Sequence, residues 1–168
     1  MKREHTYTTT ITWKGNKGAG TVAYDAYARD YEIACAGKAK IRGSADPLYL
    51  GNAARHNPEE MLVAVLSACH MLWYLHLCAA SGVVVEAYGD SADGLMLTRR
   101  DGSGEFNKVT LRPRVTISAN SDADEAMSLH TKANEMCYIA RSVNFPVHHE
   151  PDIVAGAPSG GDFQMPDS

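Results

Sequence analysis

The sequence predicts an α+β fold, and three observations carry that reading. Short β-branched segments fill the first part of the chain, a continuous apolar run occupies 61–80, and a second helical pattern follows two further strand-like stretches. Strands and helices therefore cluster in the order βββ(β)–α–ββ–α–β, with antiparallel sheets expected around a long buried central helix.

Residues 6–13 (TYTTTITW) alternate and are rich in β-branched and aromatic side chains, which is a strand pattern. Gly15, Gly18 and Gly20 make a turn, after which 21–24 and 30–35 read as strands and 38–42 as a short further one. Pro47, Gly51 and Asn52 mark 43–56 as a loop. Asn57-Pro58-Glu59-Glu60 then starts a helix: Asn caps, Pro suits the first turn, and two acids complement the dipole. Its apolar run ends at Ser81-Gly82, where glycine can take the left-handed cap. At roughly 20 residues the run is long enough to cross a bilayer. Ser67, His70 and His76 interrupt it, so a helix covered on nearly all sides by protein is expected.

Residues 83–98 and 105–118 read as strands joined by an Asp101-Gly102-Ser103-Gly104 turn. A second helix is expected over 121–141, capped by Ser121 or Asp122, and a last strand over 147–154. One domain spans 1–154, with a loose Gly/Pro/Ser-rich tail at 155–168.

The 168 residues carry 45% hydrophobic and 21% charged side chains with a net charge of −4. The basic residues are scattered, which argues against nucleic acid as a partner. No apolar leader opens the sequence, so a cytoplasmic, reducing location is expected, with no membrane association. Cys35, Cys69, Cys78 and Cys137 form no C-x-x-C pair or zinc spacing. The histidines lack a metal-binding arrangement: His70 and His76 point to opposite sides of a helix, and His148 and His149 to opposite faces of a strand. No metal or cofactor is expected.

Cys69 and Cys137 lie on the two predicted helices and could meet if those helices pack together. Such a pair permits peroxide reduction: a thiolate attacks the O–O bond, becomes a sulfenic acid, and condenses with a second thiol. The attacking thiolate needs a cationic or hydrogen-bonding neighbour, and Lys40, Arg42 and Arg55 are candidates. On spacing alone, the commoner reading of an interior cysteine is a small hydrophobe. Cys35 and Cys78 fit that reading best, and His70 reads as a hydrogen-bonded core residue. Trp73, Tyr74 and Tyr138 suit a pocket for an apolar substituent or ordinary packing equally well.

The segment from Asn57 to His70 (NPEEMLVAVLSACH) resembles the signature helix of the OsmC/Ohr family, with its cap, its small apolar residues and a cysteine ten positions after the first Glu. The second half is similar to the family too: a long hairpin, a helix bearing Cys137 and a closing strand, so that the resemblance covers about residues 5–153. Family members often carry Pro directly after the second cysteine, where Tyr138-Ile139-Ala140 stands in this chain. The resemblance implies a thiol peroxidase for organic hydroperoxides, extending in some members to hydrogen peroxide, built as an intertwined homodimer with two interface sites. It makes Cys69 the peroxidatic residue and Cys137 the resolving one, with a dithiol reductant such as a lipoylated protein. Glu59 then pairs with a catalytic arginine, for which Arg55 ranks first and Arg42 second. Glu59 and Cys69 are ten residues apart, ~15 Å along a straight helix, so a shared site requires Glu59 from a second copy. The alternative is a non-enzymatic relative, either a redox sensor or a binder of a small apolar ligand.

Overall fold

A computed structural model describes residues 3–156, so most of the tail expected at 155–168 lies outside the described residues. The chain divides into two compact units, Met1–Leu62 and Val63–Ser168, and the boundary falls in the first turns of one helix.

In the first unit, β1 (Thr10–Trp13), β2 (Tyr31–Ala34) and β3 (Ile41–Gly43) form an antiparallel sheet in that order. Trp13 pairs with Tyr31, and Tyr31 with Gly43, so one row crosses all three strands. Glycine is required at its end, because a Cβ at Gly43 would come within 2.3 Å of the Tyr31 ring. The strand expected at 21–24 is instead a succession of turns. Asn16 Oδ1 accepts from the amides of Gly18 (2.8 Å) and Gly20 (3.1 Å), and the Arg29 guanidinium donates to the carbonyls of Tyr24 and Tyr27. These side-chain bonds take backbone groups that a sheet would use.

Helix α1 (Pro58–Ser81) starts with a reciprocal cap: Glu60 N donates to Asn57 Oδ1 (2.7 Å) and Asn57 N to Glu60 Oε2 (3.2 Å). Gly82 follows it at φ 79°, the left-handed stop read from the sequence.

In the second unit the two expected long strands are each broken in two. β4 (Val85–Asp90) pairs antiparallel with β7 (Pro113–Ile117), while β5 (Asp93–Thr98) pairs antiparallel with β6 (Gly104–Leu111). The break has a physical cause. Arg112 N donates to the Asp90 carboxylate (2.7 Å) instead of a strand carbonyl, and Pro113 has no amide to offer. The expected final strand 147–154 also divides, at Glu150-Pro151. Its halves, β8 (Val147–His149) and β9 (Asp152–Ala155), join β6 and β7 in parallel and complete sheets ordered β5-β6-β8 and β4-β7-β9.

Helix α2 (Ala123–Met136) is capped by Asp122, whose carboxylate accepts from the amides of Asp124 (2.9 Å) and Glu125 (3.1 Å). It stops at Met136, short of the expected 141: the Cys137 amide turns back to Asn134 O, and a 3-10 turn, Ala140–Ser142, follows. The core joins Tyr74, Cys78, Val83, Val115, Ile117, Ala126, Leu129 and Ala133. The buried residues of α1 are Leu66, His70, Tyr74 and Cys78, a stripe with a spacing of four. The cover expected on nearly all sides is thus confined to one stripe within the single chain, and Val65 (46%) and Leu72 (63%) stay exposed.

Candidate active site

Two groups of functional side chains stand out, one in each unit. The dithiol belongs to the second. Cys69 projects from the middle of α1 and is half-buried, whereas Cys137 caps the end of α2 and is 1% exposed. Cys69 is near enough to Cys137 to perturb its ionisation, and the Ala140 amide donates to Cys137 Sγ at 3.4 Å. Burial, then the neighbouring Cys69 thiol, pushes the Cys137 thiol up to about 11, with the Ala140 and Ile139 amides acting in the opposite sense. One sulfur can thus meet a small molecule while the other waits behind it. Among the described residues all four cysteines are free thiols.

Cys78, on the same helix, is a contrast: it is buried in the core, and desolvation raises its pKa, with the charge of Glu125 adding to the rise. Tyr74 is fully buried and stacks on His130 at 3.8 Å, which makes it a core residue. Trp73 and Tyr138 meet edge to face at 5.5 Å, and Tyr138 directly follows Cys137.

The first unit holds an aromatic cavity of about 320 Å³, whose lining includes Trp13, Tyr27, Arg29, Tyr31, Tyr49 and Glu59. Glu59 enters from the first turn of α1. Burial and then the charge of Glu59 raise the Tyr31 pKa. Arg29 is held from several sides. Its guanidinium lies over the rings of Tyr24 (4.4 Å) and Tyr27 (4.3 Å) and donates to their carbonyls at 2.5 and 2.6 Å. Trp13 is pinned as well, by a 2.8 Å bond from Nε1 to Ala28 O.

The arginines singled out from the sequence lie elsewhere in this unit. Arg55 pairs with Asp30 (3.3 Å), and Lys40 with Glu32 (3.0 Å). Arg42, Arg55 and Lys40 line a separate concavity of about 760 Å³. Neither Arg42 nor Arg55 shares the cavity that Glu59 lines, and Arg29 does. Sequence reading missed Arg29 because it falls between the two segments assigned to strands, outside the loop in which a cation was sought. The available signal was an arginine flanked by tyrosines at 24, 27 and 31, a composition suited to holding a guanidinium between rings.

The histidines produce a further grouping that spacing could not disclose. His70 Nε2 and His130 Nδ1 are 3.0 Å apart and buried, and His149 lies beside both, with ring centroids at 5.8 and 6.5 Å. Among the described residues no group of three or more His, Cys, Asp or Glu side chains is arranged to hold a metal ion.

Residues 51–152 match the family of OsmC-like proteins. Among solved structures, an OsmC-like protein of unknown function from Vibrio cholerae is 34% identical with a TM-score of 0.79, over 88% of this chain and 99% of that one. An organic hydroperoxide resistance protein from Elizabethkingia anophelis matches at 16% identity and TM-score 0.66, covering 92% and 99% of the two chains. Another, from Legionella pneumophila, matches at 18% and 0.62, covering 89% and 98%. No curated protein matches the sequence significantly.

Proposed function

From the premise that this chain belongs to the OsmC-like family, we propose that it is a thiol-dependent peroxidase reducing organic hydroperoxides through Cys69 and Cys137. The observation that carries this reading is the proximity of two thiols, one half-buried and the other enclosed. The Elizabethkingia and Legionella relatives, both organic hydroperoxide resistance proteins, agree with it.

In the proposed cycle the Cys69 thiolate attacks the terminal peroxide oxygen. The O–O bond breaks, the alkoxide takes a proton and leaves as alcohol, and Cys69 becomes a sulfenic acid. Cys137 attacks that sulfur, water departs, and a disulfide remains. An external dithiol, of which a lipoylated protein is one example, regenerates both thiols by exchange. Arg29, oriented within its cavity and paired in role with Glu59, stabilises the negative charge that develops on the departing oxygen.

Glu59 and Cys69 are ten residues apart on one helix, ~15 Å along its axis. A homodimer resolves this, with the Arg29–Glu59 cavity of one copy serving the dithiol of the other. The exposed Val65 and Leu72 of α1 are apolar surface suited to such an interface. A redox sensor is the second reading, and Cys137 favours it: a thiol held near 11 closes a disulfide slowly and prolongs the sulfenic acid.

The test is consumption of tert-butyl hydroperoxide with a dithiol reductant. Sustained turnover by the wild type, and none by Cys69→Ser, supports the peroxidase. A single equivalent consumed without turnover favours the sensor, and an unreactive Cys69 ends both.

A further inference from the structure

The largest buried polar feature that the proposed chemistry leaves unused is the histidine group of the second unit. His70 comes from α1, His130 from α2 and His149 from β8, so one cluster ties three elements together. His70 is 1% and His130 0% exposed. They make one hydrogen bond with each other, and Tyr74 covers the His130 ring. The outer nitrogens, His70 Nδ1 and His130 Nε2, have no partner among the described residues, nor does His149 Nδ1.

A neutral imidazole carries one N–H. If His130 donates in the bridge, the proton of His70 is left on its outer nitrogen. If His70 donates, the outer nitrogen of His130 keeps the orphan. Either tautomer therefore buries one unsatisfied N–H, at a cost of about 1–3 kcal/mol. A buried phenyl or leucine would avoid that cost, so packing alone does not account for the pair.

Location supplies a reason. His70 directly follows Cys69, and His130 precedes Cys137 by seven residues, two turns of α2. The imidazole bridge thus ties α1 to α2 close to where the same helices bring the thiols together. We propose that His70, His130 and His149 are positioning residues for the dithiol, a neutral bridge that keeps Cys69 in bonding reach of Cys137 and releases it on acidification. This rests on the thiol reading above, because the pair it positions is the reacting one.

The electrostatics of the surroundings agree. Burial holds His70 at about 4 and His130 at about 3, with the other rings adding to the effect, and lowers His149. Facing the cluster are Tyr74 from α1, which stacks on His130 and itself meets Tyr88 of β4, and His148 from β8, which acts on His149. Among the described residues, the charges that act on the three rings are one another's and that of His148, and no carboxylate compensates a proton there. A first proton places an unsolvated charge in the core. A second sets two N–H groups against each other across 3.0 Å.

The experiment separates two steps in the full-length protein. Sulfenic acid formation at Cys69 is followed by dimedone trapping, and disulfide closure by stopped-flow thiol loss, with tert-butyl hydroperoxide between pH 7.5 and 3.5. His130→Ala should slow closure at pH 7.5 by about tenfold or more while leaving sulfenic acid formation unchanged, and His130→Gln, which can still bond to His70, should restore most of the rate. In the wild type, Cys137 ionisation alone gives about tenfold per pH unit. The bridge predicts an additional fall as pH approaches 4, where His70 takes up a proton. Equal closure in wild type and His130→Ala, or a wild-type slope without that excess, overturns the proposal. If His130→Ala does not fold, the wild-type slope decides. If Cys69 gives no sulfenic acid, the peroxidase reading fails instead, and the same comparisons are made with closure driven by diamide, which needs no peroxide.

Discussion

Cys69 and Cys78 occupy one helix, nine residues and therefore about half a turn out of phase, and their surroundings differ in kind. Cys78 faces the core of Val83, Val115, Ile117 and Ala126, where desolvation raises its pKa. Cys69 is half-buried and has a second thiol, Cys137, as a neighbour. The lesson is that burial by itself makes a sulfur inert filling. Reactivity needs access on one side and a chemical partner on the other.

The sharpest way to break that contrast is to remove each sulfur in turn. Cys69→Ala should lower hydroperoxide consumption by about a thousandfold or more, and Cys78→Ala by less than about twofold. Comparable losses in a peroxide assay would erase the distinction. Next in size is the arginine cavity. Arg29→Ala should reduce kcat/KM by about a hundredfold, as expected for lost charge stabilisation, whereas Arg55→Ala stays within about threefold. The reverse order would return the role to Arg55, the arginine first indicated by its nearness to Glu59 in sequence.

The imidazole cluster gives a stability prediction with a definite sign. The folded values of His70 and His130, about 4 and about 3, lie below the 6.5 of the unfolded chain. Their contribution is therefore present above pH 6.5 and is lost as pH falls toward 4. Urea denaturation at pH 7 and pH 5 should differ by ~2 kcal/mol per buried histidine, with the lower value at pH 5. A flat profile would mean that the cluster is solvated. The smallest effects are local. Cys78→Ala should cost about 1–2 kcal/mol in denaturation midpoint through the cavity it leaves, with activity preserved. Gly82→Ala, forced into φ 79° at the end of α1, should cost about 1 kcal/mol.

What could be read in advance follows from the range of the interactions involved. The start of α1 depends on Asn57, Pro58 and Glu60, all within one turn, and its end on Gly82, so both ends were visible in the sequence. The breaks in the second unit were not. They depend on Arg112 reaching the Asp90 carboxylate across 22 positions. The turns at 21–24 were misread because the side chains of Asn16 and Arg29 take up nearby backbone groups, and β-branched composition carries no trace of that. Family likeness singled out Cys69, Cys137 and Glu59, but the surroundings of Arg29 and the meeting of His70, His130 and His149 are tertiary facts. They join positions separated by as many as 79 residues, and no local pattern records them.

The parallel strands β8 and β9 carry a consequence for biosynthesis. Within Val147–Ala155 the chain seals one edge of each sheet in the second unit, against β6 and β7, and delivers His149. A nascent chain that has already exposed Cys69 and Cys137 to the cell therefore still has two unpaired strand edges. Until those last residues leave the ribosome, the growing polypeptide presents its thiols without the fold that disciplines them.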